Sequence, residues 1–211
     1  GIRNRRGFTH AIGVYDLRGT GRPDIYIAMD MAPDKVFFNE GGGVFREGSA
    51  ALYQRKSLNG MSAEIAEIDN DGRPAVFVTN IFEPERSMNG GNLLWKAFPD
   101  GTFRELAGPR GVGRCGYAWG AKFADFDNDG LLDLAVSNGL ISGDLGKDYW
   151  PRMTAFSSAL ASVQLDARRW PAYEGASLFG YEQKCLFLNR GGVFEDVAIA
   201  AGFEDRSDGR A

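Results

Sequence analysis

The sequence predicts an all-β fold of three repeated units, each of four antiparallel strands, with one mostly helical insertion in the third. Three observations carry this. Paired apolar runs recur around a glycine turn, and the glycines that align them, Gly21, Gly72 and Gly130, stand roughly 50 to 60 residues apart. A second glycine turn, with its own pair of apolar runs, follows each first one. The runs are rich in β-branched and aromatic residues and many alternate with period two, which favours strands over helices. Four antiparallel strands per unit of about 50 residues is the pattern of a propeller blade.

Taken in order, the first strands cover residues 11–15, 63–68 and 121–126, and the second strands 24–28, 75–79 and 133–137. Third and fourth strands lie within 35–45, 92–103 and 185–194. Asn39 ahead of Gly41-Gly42-Gly43, and Asn189 ahead of Gly191-Gly192, mark hairpin turns. Blades are expected at 1–58, 59–112 and 113–203, with 204–211 as the lead-in to another. Closed propellers have about four to eight blades, so three make a partial ring, and a longer chain is expected to supply the rest.

Residues 140–184 separate the second and third strands of the last unit, where the other units have short gaps. A stretch this long calls for structure of its own. Within it 151–169 reads as a helix: Met153, Phe156, Leu160 and Val163 share a face, Pro151 suits the first turn and Pro171 stops it. Two roles stand open. The helix caps its own blade, or the insertion docks a protein partner through Tyr149, Trp150, Trp170 and Tyr173 as aromatic anchors. Strand connectivity puts both glycine turns at one end of each blade and the insertion at the other.

The first glycine turn of the third unit carries the strongest chemical signal, Asp125-Phe126-Asp127-Asn128-Asp129-Gly130-Leu131-Leu132-Asp133. Its carboxylates stand at positions 1, 3, 5 and 9, and a glycine at position 6 permits the sharp turn that lets them converge. Hard oxygen donors in this order suit Ca²⁺, with the Leu131 carbonyl as a further ligand. Without a cation, so many adjacent negative charges repel and some take up protons. An EF-hand also needs a bidentate Glu at position 12, where this chain has Val136 in an apolar run, so a metal-loaded β-hairpin is expected instead. In the second unit Glu67, Asp69 and Asp71 remain but Ala75 replaces the last carboxylate, which predicts a weaker, more hydrated calcium site. The first unit holds Asp16, Arg18, Thr20 and Asp24, and there Arg18 is expected to bridge Asp16 and Asp24 in place of a metal.

Composition narrows the rest. A net charge of −4, with no basic run beyond Arg3-Asn4-Arg5-Arg6, speaks against a nucleic-acid partner. No apolar run reaches the 18 or so residues of a membrane span. A single histidine, His10, excludes a His-rich metal centre and a two-histidine relay. No Gly-x-Ser-x-Gly elbow, dinucleotide fingerprint or Cys-x-x-Cys-His is present, and Gly41-Gly42-Gly43 lacks the Lys-Ser/Thr ending of a phosphate loop. Cys115 and Cys185 fit no metal spacing; a disulfide and a pair of buried thiols both stand open.

The run Phe-Ala-Asp-Phe-Asp-Asn-Asp-Gly-Leu-Leu-Asp-Leu at 123–134, with Phe-Leu-Asn-x-Gly-Gly-x-Phe-Glu-Asp-Val at 187–197, resembles the FG-GAP or VCBS repeat of integrin-α-like β-propellers. The nearest branch is the bacterial one associated with ASPIC/UnbV domains. The motif is specific in the third unit and worn in the first two. The resemblance implies a roughly seven-bladed ring, location outside the cytoplasm, and a non-catalytic, calcium-stabilised binding or scaffold module that contacts proteins, or an accessory subunit of a larger assembly. It also implies that the binding face is the end opposite the calcium loops. The rival reading is a carbohydrate-binding protein or calcium-dependent polysaccharide lyase, with Tyr117, Trp119, Trp150 or Trp170 stacking on sugars.

Overall fold

The computed structural model describes residues 7–52, 58–88, 90–157 and 166–209. Strands β1 (Phe8–Tyr15), β2 (Asp24–Asp30), β3 (Lys35–Gly41) and β4 (Val44–Glu47) form one antiparallel meander. A second consists of β5 (Ala63–Ala66), β6 (Ala75–Val78), β7 (Leu93–Ala97) and β8 (Phe103–Glu105). In the third unit β9 (Ala118–Ala124) and β10 (Asp133–Asn138) precede the insertion, which holds β11 (Asp144–Asp148) and β12 (Ala176–Ser177). The sheet then closes with β13 (Cys185–Asn189) and β14 (Phe194–Asp196), in the order β14-β13-β10-β9. The all-β, partial-propeller expectation therefore holds, with strand ends displaced by a few residues.

Period two explains how the sheets stack. Along β6, Ala75 and Phe77 join a core with Leu134, Val136 and Phe187 of the third sheet. The alternate residues Val76 and Val78 join a core with Tyr26, Ala28 and Val36 of the first. The middle blade is thus covered on both faces, which is why β6 reads as an unbroken apolar run and β7 as one broken only by Lys96. Each large side chain so buried contributes about 1.5–3 kcal/mol. Near the inner strands the sheets approach closely: a Cβ at Gly13 would stand 2.6 Å from Ile65 Cδ1. The outer face of the first sheet is covered in part: Ile27, Met29 and Phe37 are buried there beside the partly buried Ile25 and Phe45. Ile12 and Val14, opposite Ile27 and Ile25, are 61% and 59% exposed.

The predicted helix over 151–169 falls partly on residues 158–165, outside the described residues. Helix α1 spans Trp150–Ser157, and Ala167–Arg169 forms one 3₁₀ turn; Leu160 and Val163 of the predicted face lie outside the described residues. Asp148 accepts the Trp150 amide at 2.9 Å and so stands as the cap ahead of Pro151. The stem is a parallel β11–β12 pair, which the helical periodicity gave no reason to expect. Cys115 and Cys185 are disulfide-bonded, Cα to Cα 6.1 Å, tying the entry to β9 onto β13. Beyond β14 the chain folds back: Asp208 accepts the Ser142 hydroxyl at 2.7 Å, and Lys184 donates to the Asn138 carbonyl at 3.0 Å.

Candidate metal centre

The β9–β10 hairpin curls as the spacing of its acids requires. Asn128 and Gly130 take φ of 61° and 87°. Open space surrounds a Cβ at Gly130, so backbone conformation rather than crowding calls for glycine there. Carboxylate oxygens of Asp125, Asp127 and Asp133 all lie within 4.8 Å of one another. Asp133 is fully buried and accepts the amides of Phe126 and Asn189, each at 2.8 Å. Asp125 takes the amides of Asp129 and Gly130 at 3.1 and 3.0 Å. Asp129 stands outside this triad, its Oδ1 accepting the Leu131 amide at 2.8 Å. Three of the five predicted ligands therefore share one point through their side chains. Among the described residues the cation reaching the triad is Arg190, 48% exposed and 3.0 Å from Asp127. Water and salt screen such a charge, so it offsets the triad weakly. A hard, all-oxygen donor set of this kind fits a divalent ion.

The sister loops differ, because side chains bring the positive charge. In the second loop Lys96, only 3% exposed, places Nζ 2.7 Å from Asp71 and 3.5 Å from Asp69. Arg110 adds a bidentate pair to Asp69 at 2.6 and 2.8 Å. Burial pushes the Asp71 carboxyl up, but Lys96 and the Arg73 amide outweigh it and hold the group below its ordinary value. Glu67 is occupied with the Gly72 amide at 3.0 Å. The residues expected to form a weaker calcium site thus meet Lys96 and Arg110.

In the first loop Arg18 clasps Asp24 through Nε and Nη2 at 3.2 and 3.1 Å, and reaches Glu40 at 3.4 Å. The expected bridge to Asp16 is not the one formed. Asp16 already accepts the Thr20 and Gly21 amides at 2.9 and 2.5 Å, which outweigh burial and lower its pKa.

Sequence reasoning missed a clasp behind the first and third loops. The amide of Asn39 donates to Asp24 at 2.7 Å as that of Asn189 does to Asp133, and each Asn side chain turns to a loop carbonyl, Pro23 or Leu132. In the middle blade both partners are alanine, Ala75 and Ala97. The signal was available in the joint loss of Asp and Asn from that unit.

The four proposed partner anchors do not form one surface. Tyr149 is buried, stacked 4.4 Å from Tyr173, and its hydroxyl donates to the Pro171 carbonyl at 2.6 Å. Trp150 packs on Phe179 at 5.5 Å with the Arg86 guanidinium over its ring. Trp170 alone of the four is open, 57% exposed against Phe156. Tyr117 and Trp119 lean on each other at 5.3 Å, with Trp119 stacked on His10.

Comparison with known proteins finds two similarities. A family model described as FG-GAP-like repeat matches residues 16–78. Cartilage acidic protein 1 of Homo sapiens is 27% identical over 146 residues, covering 61% of this chain and 20% of that protein. The chain thus spans about a fifth of the length of that curated relative. The family match falls on the first two loops, where charged side chains stand in for an ion, although the third keeps its acids most fully. Residues 16–78 are thus similar to an FG-GAP-like repeat, and the sheets among which they sit form a partial β-propeller.

Proposed function

We propose that this chain is part of a non-catalytic protein-interaction module working outside the cytoplasm, braced by one calcium ion in its third blade. The observation that supports this most is the contrast among the loops: Arg18 and Lys96 neutralise two of them from within, and the third gathers three aspartates with only an exposed arginine at its rim. Asp125, Asp127 and Asp133 would hold the ion, with Asp129 and the Leu131 carbonyl completing the shell; Ca²⁺ would supply charge neutralisation. An FG-GAP-like repeat and a disulfide agree with an oxidising, calcium-rich compartment. No helix among the described residues is long and apolar enough to cross a membrane.

The blade limits 1–58, 59–112 and 113–203 remain our reading, and the exposed Ile12 and Val14 on the outer face of the first sheet suit a further blade of a longer chain. Partner contact is assigned to the insertion end, where Trp170 and Tyr181 are exposed. The test is thermal. At calcium tenfold above its dissociation constant, a metal-stripped sample gains about 1.4 kcal/mol. For a chain of this size that raises the melting temperature by about 3–6 °C. Asp127→Ala abolishes the gain. An unchanged melting curve on adding or chelating calcium refutes the calcium brace.

A further inference from the structure

The first and third blades carry the same relay of three charged side chains, with every sign reversed. In the first blade Arg18, third residue of its loop, lies 3.4 Å from Glu40, and Glu40 accepts the Arg46 Nε at 3.0 Å. Aligning the loops on Gly21 and Gly130 puts Asp127 at the place of Arg18. Aligning the hairpins on Asn39 and Asn189 puts Arg190 at the place of Glu40. Strand pairing completes the match, because Arg46 stands opposite Phe38 as Glu195 stands opposite Leu188. Arg190 Nη1 donates to Asp127 Oδ2 at 3.0 Å, and its Nε lies 3.7 Å from Glu195 Oε2. In both blades the residue after the clasping Asn sits between a loop side chain and one on the fourth strand.

The blades differ in how firmly the cation is held. Arg18 gives two bonds to the buried Asp24 and another, at 2.9 Å, to the Asn39 carbonyl. Its guanidinium and that of Arg46 also lie over the Phe38 ring. In the third blade Leu188 takes the place of that ring, and Arg190, 48% exposed, reaches Asp127 through Nη1 alone. We infer that Arg190 is a displaceable counter-ion for the third loop. With the loop empty it holds Asp127; when a divalent cation takes the aspartates, Arg190 passes to Glu195. This rests on the assignment of calcium to that loop.

The electrostatics run one way. A guanidinium and a divalent ion compete for the Asp127 carboxylate and repel each other beside it. Glu195 is already close to Nε, so Arg190 can turn from one acid to the other and stay paired. The relay therefore lowers the affinity of the loop below what its aspartates alone would give, and the site fills only where calcium is plentiful. In the first blade the cation is part of the loop itself and tied to Asp24, so the same relay is permanently closed.

Calorimetric titration of the metal-stripped chain with calcium chloride at low ionic strength tests it. Arg190→Gln is expected to bind calcium about two- to fivefold more tightly than the wild type, the worth of an exposed ion pair. The gap should shrink as salt is raised. Arg190→Lys keeps the charge and should stay near the wild type. Glu195→Gln removes the second partner and should weaken binding about twofold, yet change nothing when combined with Arg190→Gln. If Arg190→Gln binds calcium with wild-type affinity or more weakly, the displacement is refuted while the calcium site stands. If neither the wild type nor Arg190→Gln binds calcium, the calcium reading itself fails and takes this one with it. An equal loss from Glu195→Gln with and without Arg190 would mean that Glu195 acts on the ion directly, and would overturn the transfer.

Discussion

Reducing the Cys115–Cys185 disulfide is expected to cost about 4 kcal/mol, the loop-closure value for the 70 residues it spans. The bond encloses β9, β10 and the whole insertion, so it limits the unfolded chain over all of that stretch. Both cysteines are buried, at 5% and 6% exposure, and small enough to stay packed as thiols, so native contacts change little. The loss should show as a lower urea midpoint with reductant, and as a lower slope for the oxidised form if its unfolded state is more compact. Coincident midpoints with and without reductant would show that the bond adds no stability. A Cys115→Ala/Cys185→Ala variant should match the reduced protein within the cost of the lost sulfurs.

Replacing Lys96 by Met is the second large effect, about 3 kcal/mol, because it removes the charge at the centre of a partly buried network while keeping the aliphatic stem. Asp71 is left to Arg73, and Asp69 to Arg110. The figure sits at the low end for a broken buried pair because Asp71 is a third exposed and water recovers part of the loss. The pH dependence has a definite sign. Asp71 is depressed in the folded protein, so Lys96 stabilises it above the ordinary carboxylate range and ceases to do so as pH falls through the folded pKa. The wild type and Lys96→Met are therefore expected to differ at pH 7 and to converge in acid. Calcium should recover part of the deficit in the variant, since the emptied loop again presents uncompensated carboxylates. Equal stability of the two proteins at neutral pH would mean that Lys96 is a bystander.

Much of this architecture is legible in the chain because its physics is local. Strand pairs around Gly21, Gly72 and Gly130 announce themselves by spacing, and the doubly covered β6 by an unbroken apolar run. The third loop is legible too, since its ligands stand within nine residues. What escaped was whatever the fold brings from afar. Lys96 reads as one polar residue ending an apolar strand; that its ammonium turns into the second loop follows only once β6 and β7 are paired, Ala75 opposite Lys96. Arg110, in the turn after β8, gives no local sign of reaching Asp69. Arg18 was rightly expected to carry charge, yet its second acid is Glu40 from the neighbouring hairpin, because loop amides already fill Asp16. In the insertion the helical pattern is borne out over Trp150–Ser157, and of the aromatics that look like anchors Tyr149, Trp150 and Tyr173 pack into one cluster. A periodic stripe reports that a face is buried, not what buries it.

Isothermal titration of the metal-stripped chain with calcium tests the division of labour among the loops most directly. One ion per chain is expected, lost in Asp127→Ala and retained in Asp71→Ala. Two or more ions, or binding that survives Asp127→Ala but not Asp71→Ala, would contradict the assignment of side-chain cations to the first two blades and a metal to the third.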